Sequence, residues 1–259
     1  MADLILSVFS PLRPAGVLVG VWILVMISVP VIRWTLGQGA ERIGIAAGVV
    51  AQVAAVVAAI AFDLGWYTVI VVVAVPSLGW ASEVLGSRTG LPFGPYHYTD
   101  VLQPQLARVP VLIPLAWLMM MPPSWAVGSV VAPGSPLLQW LVAAGAFAAW
   151  DVYLDPMMVE WRFWEWRTKG AYLGIPMVNF VGWFVVAFAI NALLALVGAW
   201  LGVSLVAGLP AAPLLLIFLV TWVLMFIGQM FFWRLRVSAV AGFIAMGIFV
   251  ALLLVRIGV

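Results

Sequence analysis

Two aspartates four residues apart are the strongest indication of acid–base chemistry in this sequence. Asp151 and Asp155 lie in an apolar stretch, and their spacing places both on one face of a helix, one turn apart. Two carboxyl groups that are close together in a dry site cannot both ionise easily, so we expect one to hold a proton. The pair is therefore a candidate general acid beside a general base or a water-binding carboxylate.

Two further polar residues could act with this pair. Glu83 lies near the end of another apolar run, where an ion pair with Arg88 is an equally simple interpretation. Asn179 lies in a later run together with Asn191, and these amides either hydrogen-bond across helices or face a cavity.

A loop rich in glycine, proline and aromatic residues follows Glu83. It contains Tyr96, His97 and Tyr98, and its composition is typical of a shaped, rigid lid. For a lone histidine, hydrogen bonding within a loop is a more common role than proton transfer.

The composition shows which elements must hold these residues. Of the 259 residues, 66% are hydrophobic and 8% are charged, against roughly 25% charged in ordinary soluble proteins. The apolar runs are long and continuous, so they are predicted to be helices that satisfy their own backbone in lipid. The sequence predicts an all-α, polytopic membrane bundle of about eight helices, organised as one transmembrane domain over residues 1–259. The predicted spans are 15–34, 43–62, 65–85, 109–132, 136–159, 176–202, 209–232 and 236–257.

The distribution of cations predicts the orientation. Nine of the 11 cations lie in or beside the loops that follow spans 1, 3, 5 and 7, and only Arg13 and Arg256 lie on the other side. Because cytoplasmic loops carry the positive excess, we expect both termini outside and the acid pair near the cytoplasmic side of the cell membrane. Residues 1–14 are predicted to form an interfacial segment.

Each functional interpretation has a structural alternative. Either aspartate could pair with Arg108 or Arg162 and tie helix ends together. We favour function because an ionisable residue within a span costs about 2.5–3.5 kcal/mol on insertion. The segment EWRFWEWR at 160–167 is predicted to be an amphipathic anchor at the headgroup level, and its charges are too mixed for a nucleic-acid site.

Several chemistries are excluded by what the sequence lacks. It has no cysteine and a single histidine, so thiolate metal sites, cysteine nucleophiles and multi-histidine iron centres are excluded. There is no GxGxxG fingerprint and no P-loop, which argues against a flavin desaturase and an ATP-driven pump. We expect no metal and no cofactor.

Several long motifs resemble the membrane-integral carotenoid biosynthesis family, which contains carotenoid 1,2-hydratases of the γ-carotenoid and bisanhydrobacterioruberin type. The resemblance covers about residues 80–185 and rests on EVLGSRTGLPFGPYHYT at 83–99, VPVLIPLAW at 109–117, WDVYLDPMMVEW at 150–161, WEW at 164–166 and GAYLGIPMVNFVGW at 170–183. It implies a cofactor-independent hydro-lyase that hydrates the terminal C1–C2 double bond of an acyclic C40 or C50 carotenoid. The implied partners are the polyene, water, membrane lipid and other carotenoid biosynthesis enzymes, with no nucleic acid.

The residues fit such a reaction. Protonation at C2 leaves a tertiary cation at C1, so the site needs a buried acid, surroundings that tolerate positive charge, and one positioned water. We predict Asp151, the more deeply placed aspartate, as the acid. The second aspartate, Glu83 or Asn179 would hold the water. Aromatic faces could stabilise the cation, and the predicted substrate- or water-binding residues beside Asn179 are Trp80, Tyr96, His97, Tyr98, Trp150 and Trp183.

Two other functions remain open. Asp151-x-x-x-Asp155 also looks like one half of the magnesium–diphosphate signature of membrane prenyltransferases, although a second acid-rich cluster is missing from the sequence. Alternatively, the protein is a transporter or a carotenoid-binding scaffold without enzymatic activity. Transporters usually contain paired repeats with broken helices, and no internal repeat is evident.

Overall fold

The computed structural model describes residues 14–207 and 211–258, most of which are helical. The α-helices are α1 Pro14–Leu36, α2 Gln38–Leu64, α3 Thr68–Thr89, α4 Leu112–Val131, α5 Pro136–Glu160, α6 Met177–Leu201, α7 Ala211–Ile227 and α8 Arg236–Ile257. A 3₁₀ turn at Gly65–Tyr67 joins α2 to α3, and a π-helical turn at Gly228–Phe232 extends α7. Each predicted span overlaps one of these helices, and the predicted all-α polytopic bundle is confirmed.

The exact count of eight spans is not confirmed. Within the described ranges, six helical stretches are long and apolar enough to cross a membrane, and the run Gly39–Thr89 counts as one of them. A straight helix of its 51 residues would be about 76 Å long, against an apolar membrane core of about 30 Å. Gly65 interrupts this run with a φ of 54°. Helix α4, which contains Pro122 and Pro123, is not among the six stretches.

Some predictions fall outside the described residues. Residues 1–13 of the predicted interfacial segment 1–14 are not described, and these include Arg13. The first two residues of the predicted span 209–232 are not described either.

Helices α4 and α5 form the centre of the bundle. Helix α5 packs against α4, α6 and α8, and α4 also contacts α2, α3 and α7. The middle of α4 is almost entirely buried, whereas α1, α6 and α8 expose large apolar side chains such as Leu24, Leu196 and Ile244. Asp151 and Asp155 of α5 are therefore enclosed, as expected for costly groups inside a membrane protein.

Two loops meet at one end of the bundle and form a short antiparallel ribbon. Strand β1 (Tyr96–Tyr98) follows α3, and strand β4 (Trp164–Trp166) follows α5. The two pair with Tyr96 opposite Trp166 and Tyr98 opposite Trp164. We call β1 and β4 together the ribbon. A separate hairpin pairs β2 (Gln105–Leu106) with β3 (Val109–Pro110) in the loop before α4.

The ribbon corrects the prediction for residues 160–167. These residues were expected to form an amphipathic anchor at the headgroup level, but Glu160 ends α5 and residues 164–166 form β4. The side chain of Trp164 is only 6% exposed, so it faces the protein interior.

Candidate active site

The amide of Asn179 joins the two predicted aspartates across two helices. Asp151 and Asp155 lie on α5, and Asn179 lies at the start of α6. The Asn179 Nδ2 donates hydrogen bonds to Asp151 Oδ2 at 2.6 Å and to Asp155 Oδ2 at 2.7 Å. The exposed fractions of the three residues are 0%, 1% and 2% in chain order. The two carboxyl groups are thus held close together away from bulk water.

The second oxygens of the two carboxyl groups have different surroundings. Asp155 Oδ1 accepts hydrogen bonds from the indole N–H groups of Trp164 at 2.7 Å and Trp166 at 3.2 Å. Asp151 Oδ1 is buried and has no hydrogen-bond partner among the described residues. Asp155 therefore has three N–H donors, as suits a carboxylate, whereas Asp151 has one donor and one free oxygen.

A third buried carboxyl group, that of Glu83 on α3, lies beside the pair. Its Oε2 accepts hydrogen bonds from the phenols of Tyr96 and Tyr98, the latter at 2.8 Å, and its Oε1 accepts one from Trp117 Nε1 at 3.2 Å. Burial raises the pKa of the Tyr96 and Tyr98 phenols well above their usual range, and the charge of Glu83 raises it further. Both phenols therefore remain hydrogen-bond donors at physiological pH.

The alternation of side chains along the ribbon explains how one short element donates hydrogen bonds to both Glu83 and Asp155. Successive residues of a strand point to opposite faces. Tyr96, Tyr98, Trp164 and Trp166 point inward to the carboxyl groups. His97 lies opposite Glu165 on the outer face, with its Nε2 3.8 Å from Glu165 Oε2.

Two glycines let the loop before the ribbon approach the helices closely. A Cβ atom on Gly86 of α3 would lie 2.6 Å from the Phe93 ring. A Cβ atom on Gly182 of α6 would lie 2.8 Å from the Phe93 ring and 2.8 Å from the carbonyl oxygen of Pro92. Phe93 therefore sits in a slot between α3 and α6 and fixes β1 over the acid groups.

Two cavities meet at this site. The smaller, with an empty volume of about 370 Å³, is lined by aromatic residues together with Glu83, Asp155 and Asn179. The larger, about 860 Å³, is lined almost entirely by apolar side chains, most of them from α1, α2, α4, α5 and α7 and the rest from β4 and the loops. The residues common to both walls are Ile113, Ala116, Leu154 and Trp164. The polar site thus adjoins an apolar chamber inside the bundle.

Stacked aromatic rings form one wall of the site. The rings of Trp117 and Trp183 are 4.9 Å apart and nearly parallel, at 9°. Trp150 meets Trp183 edge-on at 6.4 Å and lines the larger cavity. These faces carry partial negative charge and can stabilise a cation in a dry site.

The structural alternatives for the acids are not found in the structure. Arg162 pairs with Glu165 at 3.2 Å rather than with an aspartate. Throughout the described part of the chain, no Arg or Lys forms an ion pair with Asp151, Asp155 or Glu83.

Most of the predicted site residues lie together, and three others were missed. The structure brings together Asp151, Asp155, Glu83, Asn179, Tyr96, Tyr98 and Trp183, with Trp150 in the adjoining cavity. It does not bring His97 or Trp80 into the site. His97 faces outward, and Trp80 donates its indole N–H to Leu106 O at 3.2 Å. The residues missed by the sequence analysis are Trp117, Trp164 and Trp166.

The missed tryptophans differ in how well the sequence identifies them. The alternation in YHY and WEW is a period-2 signal for two strands and could have identified Trp164 and Trp166. Nothing in the sequence distinguishes Trp117 from the other tryptophans of the chain.

Comparison with known proteins gives one match. No curated protein and no solved structure is significantly similar to this chain. The family model described as "Carotenoid biosynthesis protein" matches residues 43–250, which extends well beyond the motifs around the site. This chain, with its apolar helices and its buried carboxyl groups, belongs to the carotenoid biosynthesis protein family.

Proposed function

We propose that the protein is a carotenoid 1,2-hydratase that adds water to the terminal C1–C2 double bond of an acyclic carotenoid end. The observation that carries this proposal is the enclosed pair Asp151 and Asp155, held by the single amide of Asn179 and without a cationic partner among the described residues. Two carboxyl groups in such a place hold a proton between them, because two unpaired negative charges in a dry site repel each other.

Asp151 is the proposed proton donor. No N–H group of the described chain is directed at its Oδ1, so this oxygen is free to carry a proton, whereas both oxygens of Asp155 accept hydrogen bonds. Transfer of that proton to C2 leaves a tertiary cation at C1. Asp155, which lines the smaller cavity, then presents its carboxylate to the cation.

Water completes the reaction. Its oxygen forms a bond to C1, and its surplus proton returns to the acid pair, which restores the starting state. Glu83 and Asn179 line the same cavity and supply the groups that orient this water. Trp183, stacked on Trp117, stabilises the cation until water attacks.

The larger cavity is the proposed place for the polyene chain. Its wall is apolar apart from Gln52 and Thr221, and it shares residues with the wall of the polar site. A carotenoid could keep its apolar chain there while one end enters the smaller cavity, which Asp155 of the acid pair lines. The protein is proposed to lie in the cytoplasmic membrane with this site towards the cytoplasm, as the cation distribution predicts.

Mass spectrometry of the pigments tests the reaction. Cells that accumulate lycopene or γ-carotene are compared with and without the protein, in water labelled with heavy oxygen. A gain of one water, about 18 mass units plus the isotope shift, is expected on an acyclic end. Asp151→Asn should abolish the gain, and Asp63→Asn, at an exposed aspartate on α2, is the matched control.

The other outcomes contradict parts of the proposal. An unchanged mass on every acyclic carotenoid would favour a pigment-binding scaffold, and a gain of a five-carbon unit would favour a prenyltransferase. Full turnover in Asp151→Asn combined with its loss in Asp155→Asn would transfer the role of donor to Asp155.

A further inference from the structure

A second polar cavity lies on the outer side of the ribbon, apart from the acid groups. It is open, with an empty volume of about 1160 Å³. Four separate segments line it with basic residues: Arg88 from the last turn of α3, His97 from β1, Arg108 from the β2–β3 turn and Arg167 from the position after β4. Three arginines thus converge on one cavity from distant parts of the sequence.

These arginines have no acidic partner within the described residues. The nearby acid Glu165 pairs instead with Arg162 and His97, and no carboxylate lines the cavity. The guanidinium groups of Arg88, Arg108 and Arg167 form no ion pair and no side-chain hydrogen bond in the described chain. An excess of cationic donors without internal partners is the arrangement that binds phosphate groups.

The backbone that carries Arg108 is strained. Ala107 and Arg108 are the two central residues of the β2–β3 hairpin, and both have positive φ, at 53° and 70°. Such turns favour Asn-Gly, because residues with a Cβ atom rarely adopt this conformation. Despite this conformational cost the turn forms, and it places Arg108 on the cavity wall together with Arg88 and Arg167.

We propose that this cavity binds the phosphate headgroup of an anionic phospholipid. The cavity lies at the end of the bundle where the ribbon covers the helices, which is the level of the headgroups if the helices span the membrane. Clusters of arginine at this level attract anionic lipids. The preference for positive residues in cytoplasmic loops explains why arginines occur on this side, but not their convergence on one cavity.

The lipid site is next to the ribbon that holds the acid groups. Tyr98 lines this cavity and donates its phenol O–H to Glu83 Oε2 at 2.8 Å in the site described above. A bound headgroup would therefore contact a residue that donates a hydrogen bond to Glu83. Lipid binding in this cavity does not depend on the reaction catalysed.

Native mass spectrometry of the purified full-length protein in detergent tests the proposal. Equal amounts of dioleoylphosphatidylglycerol and dioleoylphosphatidylcholine are offered to the delipidated protein. We expect the anionic lipid to be retained at least about tenfold over the zwitterionic lipid, and each of Arg88→Gln, Arg108→Gln and Arg167→Gln to weaken retention about fivefold. The triple variant should approach equal retention of both lipids.

A matched triple variant controls for loss of charge. Arg42→Gln, Arg234→Gln and Arg236→Gln remove three exposed cations that do not line the cavity, and they should leave the preference unchanged. Equal losses in both triple variants, or no preference in the unaltered protein, would overturn the proposal. Displacement of the lipid by soluble diphosphate at equal concentration would overturn the lipid assignment and indicate a soluble phosphate ligand.

Discussion

Replacement of Asn179 by leucine tests whether the shared amide controls the acid pair. Leucine has a similar size but cannot donate the hydrogen bonds that Asn179 Nδ2 makes to Asp151 at 2.6 Å and Asp155 at 2.7 Å. Asp151 would lose the one hydrogen bond that its carboxyl group accepts from the described residues, and Asp155 would retain the two indole donors. The two carboxyl groups would then no longer be joined by a shared hydrogen-bond donor.

The size of the effect follows from these bonds. A hydrogen bond to a charged group contributes about 1.5–3 kcal/mol. If that contribution is lost from the transition state, turnover falls about 10- to 150-fold, since about 1.4 kcal/mol corresponds to a factor of ten. Loss of folding stability of similar size is also expected, because a buried carboxyl oxygen is left without a partner.

A second asparagine on the same helix separates the two effects. Asn191 on α6 is fully buried and bonds to Trp125 Nε1 at 2.6 Å and to the carbonyl oxygen of Trp140 at 3.3 Å. Asn191→Leu should therefore lower stability by a similar amount and leave turnover per folded protein unchanged.

Turnover is measured in proteoliposomes by liquid chromatography and mass spectrometry of the hydrated carotenoid, with folded protein quantified by thermal unfolding. Equal loss of turnover in the leucine variants of Asn179 and Asn191 would refute the reasoning. So would full turnover in Asn179→Leu.

Three further perturbations test other parts of the site in the same assay. Trp164→Phe removes the 2.7 Å indole hydrogen bond to Asp155 and should lower turnover about 10- to 150-fold. Trp166→Phe removes a 3.2 Å hydrogen bond and should lower turnover about two- to tenfold. A larger loss in Trp166→Phe than in Trp164→Phe would contradict the proposed support of Asp155. Gly182→Ala should destabilise the protein by about 1–3 kcal/mol and lower turnover, because the methyl group would lie 2.8 Å from a backbone oxygen. Gly247→Ala, with no neighbouring atom closer than 3.6 Å, should leave both unchanged, and equal effects of the two alanines in thermal unfolding would exclude the close packing as the cause. Addition of EDTA should leave hydration unchanged, since the proposed steps use only carboxyl, amide and aromatic groups; loss of activity on chelation would favour a magnesium-dependent prenyl transfer.

The helices were predictable from the sequence because long apolar runs have few alternatives in lipid. The predicted limits 136–159 and 236–257 differ from α5 and α8 by at most one residue at either end. The spacing of Asp151 and Asp155 also gave their common face correctly, since helical geometry fixes the relation of residues four apart.

The ribbon was not predicted because its partners are distant in the chain. Tyr98 and Trp164 are adjacent only through the pairing of two loops, and with three residues in each strand the alternation in YHY and WEW is a short signal. Tryptophans are also common at membrane interfaces, so Trp164 and Trp166 were interpreted as interfacial residues. Their hydrogen bonds to Asp155 were therefore not predicted. His97 was placed at the site for its chemistry, but the strand period turns it outward.

The identity of the hydrogen-bond donors at the site bears on the proposed reaction. Within the described ranges, every donor to Asp155 and Glu83 is a neutral amide, indole or phenol, and no Arg or Lys there pairs with these acids. A cationic side chain here would tie the acids into ion pairs and repel a developing carbocation. Neutral donors position the carboxyl groups without supplying positive charge, so a cation formed on the substrate would be the main counter-charge in the cavity. An acid pair that serves only to tie helices together has no need of this arrangement, because an ion pair with an arginine would serve that purpose.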